Sequence, residues 1–188
     1  MPMDSKVFFS EVLTLSGGCF KHISNDQLSV STPCSEWNLE ALINHMVGEL
    51  LWLSQLLGGK SIKDVGRSLD GDLLGEDFQK SWLDGCQNAT KTVSSANLDA
   101  KVVLSYGEVT MRHYLNEVSC DLLIHGWDVA QSINCSLIIP VELAQFAYNF
   151  YKPQEKKLKA SGQFGAKIEV DENSSLQTKL LAVVGRVG

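Results

Sequence analysis

Glu117-Val118-Ser119-Cys120-Asp121-Leu122-Leu123-Ile124-His125-Gly126-Trp127-Asp128-Val129-Ala130 puts charge where a helix is otherwise apolar. Projected at about 100° per residue with Asp121 at zero, Glu117, Asp121, His125 and Asp128 fall within roughly 40° of one line. Leu115, Val118, Leu122 and Val129 flank that line on one side, and Cys120, Leu123, Ile124 and Trp127 on the other. Arg112, Asn116, Ser119 and Gly126 gather opposite, which the pattern predicts as the solvent face. The acid and histidine stripe therefore lies in the middle of the apolar arc and points into a core. Ionisable groups there are costly unless partners or a cation compensate them.

A second stretch offers a complementary group. Leu39–Leu57 reads as a helix, with Asn38 as its N-cap and Gly58-Gly59 as its stop. With His45 at zero, Ala41, Leu42, Met46, Trp52, Leu53 and Leu56 cluster around it, while Glu40, Asn44, Ser54 and Gln55 lie opposite. His45 therefore faces inward. Glu49, one turn on, points nearly the same way.

The remaining chain supplies partners for these two helices. Residues 5–22 carry Val7, Phe8, Val12, Leu15 and Phe20 at helical spacing, and Gly17-Gly18 weakens the end. A connector with turn residues Asn25-Asp26 and Thr32-Pro33 leads to Asn38. Residues 60–72 are rich in glycine and charge without a period, a loop expected to be mobile and to lie over a cavity mouth. A third helix is expected over 76–95, a strand-like piece over 98–104, and a fourth helix over 109–132 that carries the opening stretch. Pro140 suits the first position of a fifth helix, which runs to Tyr151 and ends before Pro153. A glycine-containing extended segment over 161–170 and a final helix over 175–184, closed by Gly185, complete the chain. The pattern is that of a mainly α helical bundle with minor extended pieces.

Composition bounds the function. The 188 residues suit a single domain, 1–188, with a core of its own. A net charge of −6 speaks against nucleic acid or an anionic membrane as partner, since the longest basic run, 152–159, is broken by Pro153 and Glu155. Five widely spaced cysteines without a CxxC pair suggest reduced thiols in a cytoplasm. The first residues lack the apolar core of a signal peptide, and no apolar run approaches the roughly 18 residues of a membrane span. A cytoplasmic protein is the expectation.

Asp121 and His125 stand at i, i+4, the spacing by which one helix face offers two ligands to one ion. A divalent cation would compensate Asp121 and accept neutral imidazoles from His45 and His125, with a position left for water or substrate. Glu49 is then a further ligand, an acceptor holding an imidazole, or a base, and is the candidate catalytic residue. The same residues also fit a metal-free reading, in which hydrogen-bonded core histidines and an Asp–His salt bridge join helices. Asp128 reads as structural, bonding a neighbouring helix or loop, and Glu117 and His113 as rim residues. Cys120 reads as a packed thiol, and Cys34 as a connector residue without a basic neighbour to activate it. No Ser-His-Asp arrangement, P-loop or GxGxxG is present.

Thr32-Pro33-Cys34-Ser35-Glu36-Trp37-Asn38 running into Leu42-Ile43-Asn44-His45-Met46-Val47-Gly48-Glu49, followed by Asp121-Leu122-Leu123-Ile124-His125-Gly126-Trp127-Asp128, resembles the metal-binding family related to mycothiol-dependent maleylpyruvate isomerase, within the DinB/YfiT-like superfamily. Ala160-Ser161-Gly162-Gln163-Phe164-Gly165 and Leu180-Leu181-Ala182-Val183-Val184-Gly185-Arg186 are similar to the family's C-terminal segments. The resemblance implies an up-down-down-up four-helix bundle with a C-terminal helical and extended extension. It further implies one divalent metal, zinc or nickel, held by His45, Asp121 and His125. Asp121 stands where the isomerase has Glu and many DinB relatives have His, and Ala166-Lys167 replace the prolines usual after Gly165. No counterpart of the isomerase's long C-terminal domain is expected, and its particular substrate is therefore not part of what the resemblance implies. The function implied is a metal-dependent transferase or isomerase that activates a low-molecular-weight thiol, such as mycothiol or bacillithiol, toward an electrophile. The alternative is a non-catalytic metal-binding bundle with a structural, stress or regulatory role. A homodimer fits the superfamily, although no exposed apolar helix face demands one.

Overall fold

The computed structural model describes residues 3–155, 165 and 168–188. It forms two compact units, Ser5–Cys135 and the part of the chain that includes Ser136–Gly188.

The first unit is a helical bundle. Its elements are α1 (Ser5–Phe20), α2 (Leu39–Leu57), the one-turn α3 (Ile62–Val65), α4 (Phe78–Ser95), β1 (Lys101–Leu104), β2 (Gly107–Thr110) and α5 (Met111–Ser132). Contacts along the helices set their directions. Phe20 stacks on Trp82 at the start of α4, with ring centroids 4.1 Å apart, and Lys6 reaches the Ser94 carbonyl at its end, so α1 and α4 are antiparallel. α1 runs parallel to α5, since Ser16 meets Leu122 and Cys19 meets Cys135, and α2 runs antiparallel to α5, since His45 meets Asp121 while Cys34, ahead of α2, meets Asp128. Leu50 of α2 lies against Gly85 of α4. The four long helices thus run up, down, down and up, α1 with α5 and α2 with α4. Leu42, Leu50, Leu53, Leu115 and Leu122 are fully buried between them, and truncation of any one to alanine costs about 2–5 kcal/mol.

Local chemistry sets the helix ends. Asn38 accepts from the Ala41 N–H at 2.9 Å and starts α2, as its residue type predicts. Asp77 accepts from the Lys80 N–H and starts α4 two residues later than the apolar spacing indicates. Within 60–72, Ser61 and Asp64 cap each other across α3, and Asn44 ties down the far end by donating to the Gly71 carbonyl and accepting from the Leu73 N–H. The strand-like piece is one arm of a hairpin: β1 pairs antiparallel with β2, Lys101 opposite Thr110 and Leu104 opposite Gly107. Val109 and Thr110, read as the start of the fourth helix, belong to β2, and the Thr110 hydroxyl then caps α5 by accepting from the His113 N–H.

One expectation for α5 is overturned. Ser119 and Gly126 do not face solvent: both are buried, because α1 packs along that side of α5. The Ser16 hydroxyl donates to the Leu122 carbonyl at 3.3 Å, and a Cβ on Gly126 would stand 2.3 Å from that hydroxyl oxygen. Small residues there let two backbones approach. From Leu122 to Ala130 every residue of α5 is buried, which makes it the central helix of the bundle.

The second unit contains α6 (Val141–Tyr151), a 3₁₀ turn (Lys152–Gln154) and α7 (Leu176–Val183). Pro140 is the N-cap of α6, one position before the expected first turn, and Pro153 lies in the 3₁₀ turn that ends it. α6 and α7 pack through Leu143, Ala144, Ala147, Leu180 and Leu181, all buried. α7 closes on Gly185, whose φ of 74° lets the Arg186 N–H reach the Leu181 carbonyl at 2.8 Å. Most of the extended segment expected over 161–170 lies outside the described residues.

Candidate metal centre

The site begins with a loop that folds on its own hydrogen bonds. Ser31 and Asn38 form an isolated antiparallel bridge. Between them the Thr32 hydroxyl accepts from the Cys34 N–H at 3.0 Å and donates to the Trp37 carbonyl at 2.8 Å. The Trp37 N–H donates to the Cys34 carbonyl at 2.9 Å, closing a tight turn directly before the Asn38 cap. Loop and helix are thereby one rigid piece, which carries Cys34, Trp37 and His45 toward α5.

Three donors meet there. His45 Nε2 pairs with Asp121 Oδ2 at 3.0 Å, and His125 Nε2 lies 3.4 Å from Asp121 Oδ1. The donor atoms of His45, Asp121 and His125 all lie within 4.8 Å of one another. The two imidazoles meet edge to face at 5.0 Å, and the Trp37 indole covers both, 4.7 Å from His45 and 5.7 Å from His125. The side chains of His45 and Asp121 are 26 % and 21 % exposed, whereas that of His125 is 5 % exposed. The cluster is open on the side of His45 and Asp121 and closed behind His125.

Behind His125 stands Asp128, fully buried. His125 Nδ1–H donates to Asp128 Oδ2 at 3.0 Å, which leaves Nε2 facing Asp121. The Cys34 thiol donates to the same Asp128 oxygen at 3.4 Å, with its sulfur 3.8 Å from His125 Nδ1. Cys34, His125 and Asp128 form a second set of converging donors that shares His125 with the first. Two sequence readings change accordingly. Asp128 bonds the connector, as expected of a structural residue, but it also holds the histidine on its own helix. Cys34 does have a basic neighbour, supplied by α5, 91 residues away in the chain. Neither Cys34 nor Trp37 stands out by periodicity, since both lie in a loop. The signal that could have found them is the Thr32-Pro33-Cys34 to Trp37 motif itself.

The electrostatics follow from this packing. Burial works to raise the Asp121 carboxyl, but His125 and His45 outweigh it and hold the group well below the usual carboxylate range. Burial likewise works to lower the His125 imidazole, but Asp121, Asp128 and Cys34 outweigh it and push it well above its ordinary value. Glu49 has the opposite balance: burial, then the Asp121 charge, pushes its carboxyl up to about 7. Among the described residues Glu49 belongs to neither donor set and acts on them through its charge. Glu117 is raised by burial and accepts from the Tyr106 hydroxyl at the tip of the β1–β2 hairpin. Cys120 is a fully buried thiol, raised by desolvation, as its place on the apolar flank implies.

The donor set suits a divalent ion. Two imidazole nitrogens and one carboxylate oxygen, all within 4.8 Å of one another, match in kind and number the three protein ligands of an open site. No helix among the described residues is long and apolar enough to cross a membrane.

The chain is similar to two Mycobacterium tuberculosis proteins, uncharacterized protein MT0763 of strain CDC 1551 / Oshkosh and uncharacterized protein Rv0738 of strain H37Rv. Each is 27 % identical over 129 residues, 65 % of this chain and 64 % of the relative, so the chain spans somewhat less than two thirds of their length. No solved structure matches it significantly. The family model of the mycothiol maleylpyruvate isomerase N-terminal domain matches residues 14–130, a stretch that holds His45, Glu49, Asp121, His125, Asp128 and the Cys34–Trp37 turn. With most of its length inside that match, the chain belongs to the mycothiol maleylpyruvate isomerase N-terminal domain family.

Proposed function

We propose that this chain, acting over 1–188 as one cytoplasmic domain, binds one divalent ion, zinc or nickel, through His45, Asp121 and His125. Its activity is the transfer or isomerisation of a small electrophilic substrate with the help of a low-molecular-weight thiol such as mycothiol or bacillithiol. The observation that carries this reading is the convergence of the three donors from α2 and α5 at an edge that keeps His45 and Asp121 partly exposed. A structural site is closed on all sides, whereas a catalytic one keeps a position open.

A metal at such a site lowers the pKa of a thiol beside it. The chain's own residues do the rest. Asp128 holds the Nδ1 proton of His125, so the imidazole presents its Nε2 lone pair in one orientation. Trp37 walls off the two imidazoles from one side. Glu49, with its carboxyl near neutrality, is suited to take the thiol proton and to return it to product.

Protein purified without added metal is expected to retain about one divalent ion per chain by elemental analysis. His45→Ala and His125→Ala lose it, and Asp128→Asn keeps the stoichiometry but binds about 10–100-fold more weakly in chelator competition. No retention by wild type, or unchanged retention in both histidine variants, overturns the reading. A non-catalytic role, in which the ion only ties α2 to α5, rests on the same donors, because His45 comes from α2 and Asp121 and His125 come from α5. Thermal shift or adduct formation with a panel of small thiols and electrophiles separates the two, and silence across the panel leaves the tie.

A further inference from the structure

A different pair of side chains is poised for covalent chemistry. Cys19 lies in the last turn of α1 and Cys135 just beyond α5, 116 residues apart in the chain, and their sulfurs are 3.8 Å from each other. That is contact distance for two unbonded thiols. Both backbones are fixed by the way their helices end. α1 closes with the His22 N–H on the Cys19 carbonyl and the Ile23 N–H on the Phe20 carbonyl, while the Phe20–Trp82 stack anchors the next residue. α5 closes in a Schellman cap: Asn134 adopts a φ of 53°, its N–H reaches the Gln131 carbonyl, and the Cys135 N–H reaches the Ala130 carbonyl at 2.8 Å. The cap aims the Cys135 side chain back at α1. The two helices are already held together by the Ser16–Leu122 hydrogen bond and the close approach at Gly126.

We propose that Cys19 and Cys135 are a redox-active dithiol that reduces a low-molecular-weight disulfide and closes to an intramolecular disulfide between α1 and the end of α5. The two thiols have different parts. Cys135 is half-buried and meets the reagent first, whereas Cys19 is 4 % exposed. Burial, reinforced by the neighbouring sulfur, pushes the Cys19 thiol up to about 11, so it stays protonated and donates toward Cys135. In the first step the Cys135 thiolate attacks one sulfur of the disulfide RSSR. The reagent's S–S bond breaks, a mixed disulfide forms and RS⁻ leaves. In the second step the Cys19 sulfur gives its proton to RS⁻ and attacks the Cys135 sulfur, the mixed disulfide breaks, and the second R group departs as thiolate and takes up from water the proton that Cys135 had released there. Two protein thiols are oxidised and one small disulfide is reduced to two thiols. The sulfurs close from 3.8 Å to about 2.0 Å, which rotation of two side chains can supply.

The test uses the full chain and hydroxyethyl disulfide as the probe. Wild type is expected to lose about 2 Da and two titratable thiols without gaining an adduct, and a non-reducing digest yields a linked Cys19–Cys135 peptide. Its Tm rises by about 10 °C, because the cross-link closes a loop of 116 residues. Cys19→Ser stops at a stable mixed disulfide on Cys135, and Cys135→Ser gives neither adduct nor cross-link at Cys19. The inference falls if wild type ends as a mixed disulfide, if the cross-link maps to another pair, or if no thiol is lost. The wild-type digest decides the matter even where a serine variant folds poorly, and it does so whether or not the chain binds metal.

Discussion

Glu49 is the residue at which packing and chemistry pull hardest against each other. Its carboxyl ordinarily titrates at 4.5 and is pushed up to about 7 in the folded chain, by burial first and the Asp121 charge second. The folded state therefore holds the proton more tightly than the unfolded one. Below about pH 4.5 both states are protonated and nothing is lost; between 4.5 and 7 the unfolded chain ionises freely while the folded one resists, so this residue's contribution to stability falls as pH rises. Above pH 7 the loss is constant, on the order of 3 kcal/mol. Glu49→Gln removes it. In metal-free protein, urea unfolding at about pH 8 is expected to find the variant more stable than wild type by up to that amount, with the gap shrinking toward pH 4.5. A gap independent of pH shows that the carboxyl carries no such strain. Helical projection alone put Glu49 beside His45. The size of its perturbation depends on Asp121 and Glu117 of another helix, which no local pattern reveals. Cys34 and Asp128 illustrate the same limit, since their contact joins a loop to a helix.

At the scale of elements, α5 shows what periodicity reads well and where it fails. Its acid and histidine stripe faces the neighbouring elements as the spacing demands: Asp121 meets His45 of α2, Asp128 meets Cys34 of the connector and Glu117 meets Tyr106 of the hairpin. The opposite row, Ser119 and Gly126, looks polar and small in sequence and reads as solvent-facing. Smallness instead serves close packing, and α1 fills the space. A mid-helix Gly→Ala change ordinarily gains up to about 1 kcal/mol from helix propensity. At Gly126 the new methyl would meet the Ser16 Oγ at 2.3 Å and its Cβ at 2.9 Å, so Gly126→Ala is expected to destabilise by about 1–3 kcal/mol. Adding Ser16→Gly removes both atoms and restores part of the loss. A double-mutant cycle by chemical denaturation with a coupling near zero refutes the tight contact. The start of α5 differs from the expected Val109 for a related reason. Val109 and Thr110 suit either a strand or a helix, and only the pairing of β2 with β1 decides between them.

For the whole molecule, the bundle was legible because four long apolar-faced segments, separated by capped turns, have few ways to bury their stripes. Less visible in the sequence is the division into two compact units, with every proposed ligand in Ser5–Cys135. If 1–188 behaves as one domain, binding at His45, Asp121 and His125 must stabilise the entire chain, because a ligand that binds only the folded state shifts the whole cooperative transition. Scanning calorimetry of chelator-treated protein is then expected to give one transition whose calorimetric and van't Hoff enthalpies agree. Free zinc at about 100 times its Kd adds about 2.7 kcal/mol, which for a chain of 188 residues raises that transition by roughly 5–10 °C. Renewed chelation returns it. Two transitions of which zinc moves only one would divide the chain into separate domains, with the ion bound to the moving part. A scan that neither zinc nor nickel moves would remove the metal from the description and leave His45, Asp121 and His125 as a charge cluster that binds α2 to α5.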